Sequence, residues 1–467
     1  MLNFTLGISA KDLAEAINGE LLFCGNKKIH SVSIDSRNIC GKELFVAIKG
    51  ENTDGHKYIS GAVNSGASAI LIDNKSANFS SAEENDCSVI YVKNTVLALG
   101  VLAKKYKAEF SPLTVAVTGS VGKTTTRQFV YAVLSSEKNT HKTDGNFNNE
   151  LGLPLSVLKI DSSHEATVLE LGMSQKGEIS YLTDIVAPDI AIITNIGTSH
   201  IEHLGSREAI RDAKLEITEG LKDNGKLLLN GDEPLLQGIE GAAYVSLRNC
   251  SSDFRATNIC YTSEGMCFTA ICPERTIKNC IIPTLGEHTV LDAMFAVACG
   301  YFLGISDEGI KKGLLSFEAV GMRQNIVNHK DSTFILDYYN ASPESIKASL
   351  SVTKRLAVKN GGRAIAVVGN VLELGNKSDE LHRSIGSYIT NIGCDLFFAF
   401  GKDACLAAAQ AISDGMSKDT VFCFPDISDP TQISESVAEN IKENDCILIK
   451  ASHSVHMERI ADILLKK

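Results

Sequence analysis

Apolar positions along this chain come in short blocks, and the spacing within and between the blocks changes twice. In the first hundred or so residues, ELFVAIKG (43–50), AILI (69–72) and SVIYV (88–92) are brief runs rich in Val, Ile and Phe. Gly- and Asp-bearing turns separate them, which predicts a small α/β unit. VLALGVLAKKYKAEF (96–110) repeats apolar residues at helical spacing and stops at Ser111-Pro112, where proline disfavours helix in the residue before it. From LTVAVTG (113–119) onward, continuous apolar runs alternate with helical segments: ATVLELG (166–172), DIAIITNIG (189–197) and GKLLLNGD (225–232). Uninterrupted runs of that kind suit a parallel sheet buried on both faces. A looser, more polar stretch over 240–285 predicts an antiparallel extension, and HTVLDAMFAVACGYFLG (288–304) a helix that closes the unit. Beyond 320, STFILDYY, RAIAVVG, DLFFAFG, TVFCFP and DCILIKAS are five strand candidates separated by helices. No short repeat is visible. The pattern predicts an α/β chain of three domains, with boundaries at 1–110, 111–318 and 319–467.

Composition narrows this picture. A length of 467 residues fits about three domains. With 44% hydrophobic and 22% charged residues, the chain has material for several packed cores. The formal net charge of −11 and the lack of a long basic run exclude a protein that wraps nucleic acid, while anionic small molecules remain open through local positive sites. The 13 cysteines are scattered singly without a C-x-x-C pair, so reduced thiols of a cytoplasmic protein are expected. The start, MLNFTLGISAKDLAEAINGE, lacks a basic segment followed by an apolar core, and no apolar run reaches about 18 residues, so neither secretion nor a membrane span is expected.

The strongest chemical signal is AVTGSVGKTTT (116–126). The common phosphate loop reads G-x-x-x-x-G-K-[ST], but here Val117 takes the place of its first glycine and Gly119 lies closer in. Its context is nevertheless that of a phosphate loop, with an apolar strand before and a helical segment after. Backbone N–H groups of such a turn point at one anion, and the helix N-terminus adds partial positive charge. Lys123 can reach the β and γ phosphates of a nucleotide, and Thr124 can hold Mg²⁺ through its hydroxyl. Glu170 and His200 close two of the following strands, at the sheet edge where open α/β folds bind ligands, and are further candidates for the metal.

These residues, with TDGNFNNELGLPLSVL (143–158), ELGMSQKGEISYL (170–182) and TNIGTSHIEHLGSREAIRDAKLEI (194–217), resemble the Mur ligases. DSRNICGKELFVAIKGENTDGHKYI (35–59), YNASPESIKASL (339–350) and LELGNKSDELHRSIG (372–386) extend the resemblance over nearly the whole chain. The family's phosphate loop is the shorter G-[ST]-x-G-K-[ST]. Within the family the likeness is to the branch that adds D-alanyl-D-alanine to UDP-N-acetylmuramoyl-tripeptide. It implies an N-terminal domain for the UDP-substrate, a central ATP-binding domain with a mostly parallel sheet, and a Rossmann-like C-terminal domain for the incoming amino component. It further implies an ATP- and Mg²⁺-dependent ligase of cytoplasmic peptidoglycan synthesis, monomeric, with no nucleic-acid or membrane partner. On this basis Gly119, Ser120, Val121, Gly122, Lys123, Thr124, Thr125, His288, Asp292, Arg323 and Asp337 bind ATP. Ser36, Arg37, Asn148 and Asn149 hold the UDP-substrate, and Tyr339, Asn340 and Pro343 meet the amino component. Lys123, Glu170, His200 and Lys214 carry the chemistry, and Thr124, Glu170, His200 and a carbamylated Lys214 the metal.

Some positions depart from the family. Its adenine-site form is close to G-x-H-N-x-x-N-A, whereas GEHTVLDA puts Thr289 and Asp292 where two asparagines are expected. An ionised Asp offers only acceptors, which calls ATP affinity into question. Asn370-Val371 precedes LELG, and Lys450-Ala451-Ser452-His453 replaces a turn that ends in Arg or Lys. The loss of a fixed charge at 453 leaves His456 or Lys450 as substitutes for binding a carboxylate. These departures keep two alternatives open: a paralogue that ligates another amino acid or dipeptide, and a non-catalytic nucleotide-binding relative. Three ligands meeting between three domains also imply domain closure.

Overall fold

The apolar runs of the three regions fold into three separate sheets in the computed structural model, which describes residue 2 and residues 4–466. In the first, Glu43–Val46, Ala69–Ile72 and Ser88–Tyr91 lie parallel at the centre of five strands. The two edge strands, Glu20–Phe23 and Ser31–Ser33, were not read from the pattern: they are three or four residues long and partly exposed, and Leu21 to Phe23 make too short an apolar run to stand out.

The central sheet has nine strands. Leu113–Thr118 lies between Ala166–Glu170 and Ile190–Ile193, parallel to both. The chain runs first to one side of it, through Thr140–Lys142 and Ala166–Glu170, then crosses to Ile190–Ile193 and Lys226–Asn230. That reversal opens a crevice at the C-terminal end of Leu113–Thr118, the place where such sheets bind ligands. The looser stretch corrects the expectation in part. Ala242–Ser246 pairs parallel to its neighbours, and only Phe254–Thr262, Gly265–Ile271 and Thr276–Ile282 form an antiparallel meander. Glu287–Phe302 is the expected helix, but the shorter Asp307–Leu315 follows it before the third sheet begins.

The helix that follows the phosphate loop, Lys123–Leu134, buries Phe129, Val130 and Val133 against these two helices, and the Phe129 ring stacks on Phe317 at 3.8 Å. Gly313 permits the closest of these approaches. A Cβ there would lie 2.6 Å from the carbonyl oxygen of Ala132, a contact that only backbone movement can relieve.

The third sheet has six strands rather than five. Asn325–His329, with alternating exposure and a polar sequence, hairpins onto Ser332–Leu336; the remaining pairs are parallel. The expectation of uniformly reduced thiols is overturned at one pair. Cys405 and Cys423 form a disulfide, because the helix Lys402–Ser413 packs along the edge strand Val421–Phe424 and brings their Cα atoms to 5.6 Å. Cysteines 18 residues apart on different elements give no local sequence signal of this. One buried apolar cluster contains residues of both the central unit (Leu169, Ile193, Ile201) and the third (Ile335, Leu350, Leu374). Among the described residues no helix is long and apolar enough to cross a membrane.

Gly313→Ala is expected to destabilise the chain by about 1–3 kcal/mol through overpacking against the phosphate-loop helix. Urea unfolding measures this, and an unchanged midpoint would show that the helix pair can slide apart without cost.

Candidate functional site

The turn after Leu113–Thr118 is shaped by two glycines with positive φ, 148° at Gly119 and 86° at Gly122. Both also lack room for a side chain: a Cβ on Gly119 would strike the Thr194 hydroxyl, and one on Gly122 would lie 2.7 Å from Asp292 Oδ1. The loop is tied to the next strand end at several points. The Val121 N–H donates to Asn195 Oδ1 at 2.9 Å, Thr194 Oγ1 donates to the Val121 carbonyl at 2.6 Å, and the Gly197 N–H donates to Ser120 Oγ at 2.9 Å. Lys123 is half-buried at the cavity wall, and its ammonium donates to the Gly119 carbonyl at 2.8 Å. Burial pulls its pKa below the usual lysine value, as does Arg323, while Glu170 opposes the shift.

Glu170 stands at the centre of a set of donors. Thr124 Oγ1 donates to its Oε2 at 2.8 Å, Asn148 Nδ2 donates to its Oε1 at 2.8 Å, and Arg127 Nη1 lies 3.3 Å from Oε2. Thr124 and Glu170 therefore present oxygens side by side, the hard-donor pair that Mg²⁺ prefers when phosphates and water complete its shell. The sequence reading missed Arg127. An arginine in the first turns of a helix looks solvated, yet this one is 1% exposed. Asn149 takes a different part from its neighbour: its Oδ1 accepts from the Gly152 N–H at 2.9 Å, in the turn that leads into the helix Gly152–Val157.

Lys214 is buried, not a surface residue of its amphipathic helix. Burial first, and Lys123 second, push its pKa well below the normal value, which favours a neutral amine. His200 adopts a left-handed backbone, φ 63°, and its Nδ1 lies 2.6 Å from Glu373 Oε2 of the third unit, without the alignment of a hydrogen bond.

The loop opens into a cavity of about 380 Å³ between the central and third units. Ser120 to Thr125 form one wall, and Arg323, Asp337, Asn340 and Glu344 stand on the other. Leu291, Phe317, Ala319 and Val320 add apolar lining. His288 borders it as a neutral imidazole, its pKa pushed down to about 4 by burial. The expectation that Asp292 is ionised is corrected here. Burial raises its pKa to about 8, against the opposing hydrogen bond from Thr126, which disfavours the ionised form. Thr289 is no replacement for an asparagine either, because its hydroxyl donates to the Gly286 carbonyl at 2.7 Å.

Asp337 accepts from Lys450 Nζ at 2.7 Å and Ser349 Oγ at 2.6 Å, and Lys450 also donates to the carbonyls of Asp337 and Asn340. Lys450 is thus not free to replace a charge at 453, and His456 is paired with Glu458 at 2.7 Å. Tyr339 carries Arg323 over its ring at 4.2 Å, and exposed His453 lies 5.7 Å from it. Pro343 starts the helix Pro343–Asn360, next to Glu344, whose carboxylate accepts from Thr198 Oγ1 at 3.0 Å across the inter-unit gap. Glu344 was not foreseen as a cavity residue, since only the packing of the third unit against the central one brings it there, and Lys450 was considered only as a carboxylate-binding substitute. Ser36 and Arg37 lie in the first unit, apart from the cavity. Arg37 is 87% exposed and forms a bidentate pair with Asp35.

Fold and site together define a phosphate-loop protein whose nucleotide cavity is completed by a separate α/β unit. The profile of the Mur ligase middle domain matches residues 117–300, that of the Mur ligase glutamate ligase domain residues 322–453, and that of the Mur ligase family catalytic domain residues 28–107. The chain is 39% identical over 462 residues to the UDP-N-acetylmuramoyl-tripeptide--D-alanyl-D-alanine ligase of Bacillus subtilis (strain 168), covering 98% of each. To the enzyme of the same name from Escherichia coli (strain K12) it is 31% identical, again covering 98% of each. The chain belongs to the Mur ligase family. Among solved structures it is similar to MurF from Acinetobacter baumannii, with TM-score 0.89, 28% identity and 99% of each chain covered. It is also similar to the MurF ligase of Thermotoga maritima in complex with ADP, with TM-score 0.80, 29% identity and coverage of 93% of this chain and 97% of that one.

Arg127→Met is expected to cost about 3 kcal/mol, because it takes the guanidinium away from the buried Glu170 carboxylate and leaves Lys123 as the nearby cation. The double variant Arg127→Met/Glu170→Gln should recover part of that loss in urea unfolding; equal losses would show that Arg127 acts through packing alone.

Proposed function

We propose that this chain is an ATP-dependent ligase that joins D-alanyl-D-alanine to UDP-N-acetylmuramoyl-tripeptide in the cytoplasm, forming a C–N bond during peptidoglycan precursor synthesis. The observation that carries this reading is the phosphate loop with Lys123, Thr124 and Glu170 at the sheet's switch point, facing a cavity closed by the third unit. Full-length similarity to ligases of that name supports the choice of substrates.

The reaction follows from the poor electrophilicity of a carboxylate. The terminal peptide carboxylate attacks the γ phosphorus of ATP, and the bond from that phosphorus to the β–γ bridging oxygen breaks with release of ADP. The amine of D-alanyl-D-alanine then adds to the acyl phosphate carbon, and phosphate leaves as the amine loses a proton. Lys123, half-buried at the cavity wall, stabilises charge on the transferring phosphoryl group. Thr124 and Glu170 fit Mg²⁺, with His200 and a carbamylated Lys214 as further ligands; when bound, the ion would neutralise phosphate charge. Neutral Lys214 is chemically ready for that modification, since an unprotonated amine adds to CO₂ with release of a proton. Gly119, Ser120, Val121, Gly122, Thr125, His288, Asp292, Arg323 and Asp337 surround the nucleotide. Ser36, Arg37, Asn148 and Asn149 take the UDP-substrate, and Tyr339, Asn340 and Pro343 the amino component.

Purified protein with ATP, Mg²⁺ and UDP-N-acetylmuramoyl-tripeptide is expected to release phosphate and form product with D-alanyl-D-alanine alone in a panel of amino components. Product with a different amine only would overturn the substrate assignment, and no phosphate release with any would overturn the enzymatic one. Lys123→Ala should lower kcat by about 10²–10³-fold or more. Supplying ¹³C-bicarbonate should give a carbamate carbon signal that Lys214→Ala loses.

A further inference from the structure

The wall of the cavity between the central and third units carries three carboxyl groups, those of Asp292, Asp337 and Glu344. Two are committed to the protein. Asp337 pairs with Lys450 at 2.7 Å and accepts from Ser349 Oγ at 2.6 Å, and Asp292 is buried and accepts from Thr126 Oγ1 at 3.0 Å. Glu344 differs from both. It is half-buried in the first turn of the helix Pro343–Asn360, and among the described residues it accepts from Thr198 Oγ1 alone, at 3.0 and 3.2 Å to its two oxygens, with no cation paired to it. Its carboxyl group also reaches the phosphate loop. A Cβ on Gly197 would lie 3.1 Å from Glu344 Cδ and 3.1 Å from Ser120 Cβ, so the third unit and the loop meet on either side of that glycine.

A carboxylate without a counter-charge beside a polyphosphate site repels the nucleotide, so its presence there calls for a cation that arrives with another ligand. ATP and the UDP-substrate are both anions. The free amino terminus of the incoming component is an ammonium at neutral pH, and it is the one cationic group that the organic reactants bring. Mg²⁺ has its own pair of oxygens at Thr124 and Glu170, on the central unit. We propose that Glu344 is the ammonium-binding group for the incoming amino component, pairing with its amino terminus and holding the nitrogen beside the phosphate loop. The charge-assisted bond fixes the nitrogen there until its proton is lost to water and the amine attacks the acyl phosphate carbon. The inference rests on the ligase reading of the cavity. It makes the third unit a selector of cationic amines, and a neutral nucleophile gains nothing from Glu344.

The test is steady-state kinetics of the full chain with Mg²⁺, varying D-alanyl-D-alanine, ATP and UDP-N-acetylmuramoyl-tripeptide in turn. Glu344→Gln keeps an acceptor for Thr198 and removes the charge, so KM for the dipeptide should rise about 10–100-fold. KM for the other two substrates should stay within about twofold of wild type, and Glu344→Asp should recover part of the loss. Thr198→Val breaks the inter-unit bond and keeps the charge; its effects should fall on the three substrates alike. Hydroxylamine, uncharged at neutral pH, replaces the dipeptide in a second assay, and wild type and the Gln variant should form hydroxamate at equal rates. A dipeptide KM that the Gln substitution leaves in place, the same pattern of changes in the Gln and Val variants, or equal losses with both nucleophiles would overturn the proposal. Wild-type protein that gives neither phosphate with any amine nor hydroxamate would instead overturn the ligase reading itself.

Discussion

A half-buried cation at the mouth of the phosphate loop is the constraint on which the rest of the site depends. Partial loss of water disfavours the Lys123 ammonium, and the Gly119 carbonyl and the nearby Glu170 carboxylate favour its charge. Each of those supports is itself fixed. Gly119 can turn as it does only without a Cβ, and Glu170 is held by Thr124 and Arg127 of the helix Lys123–Leu134 and by Asn148 of a separate loop. A phosphate arriving at this loop exchanges a strained protein–protein balance for direct pairing with Lys123. The sheet's reversal of direction beside Leu113–Thr118 gives these groups a crevice in which to meet.

The parts of the fold visible in the sequence are those whose burial is one-sided or complete. ATVLELG and DIAIITNIG read as strands because every residue of Ala166–Glu170 and Ile190–Ile193 is buried. Asn325–His329 escaped notice because its outward residues are polar and its partner strand alone defines it. The same distinction separates the site residues. Gly119, Lys123 and Thr124 are contiguous, so local chemistry reveals them. Arg127 and Glu344 gain their roles from what folds against them, and Cys405 from a strand 18 residues away.

Asp292 is a more instructive case, since its residue type was read correctly and its chemistry was not. Ordinary carboxylate behaviour follows from hydration, and the helix Glu287–Phe302 removes that hydration almost entirely. A letter in a sequence specifies a side chain; its charge belongs to the folded surroundings. Lys214 and His288 illustrate the point with opposite sign, as basic groups driven toward neutrality by the same loss of water.

The apolar cluster shared by the central and third units bears on how the cavity can open. Pulling the two units straight apart would expose Ile201 and Leu374 at the joint and break the Thr198–Glu344 hydrogen bond at once. Sliding one over the other keeps greasy surface covered throughout the movement. The seam thus acts like a bearing: any relative movement of the two units costs less as sliding along it than as straight separation.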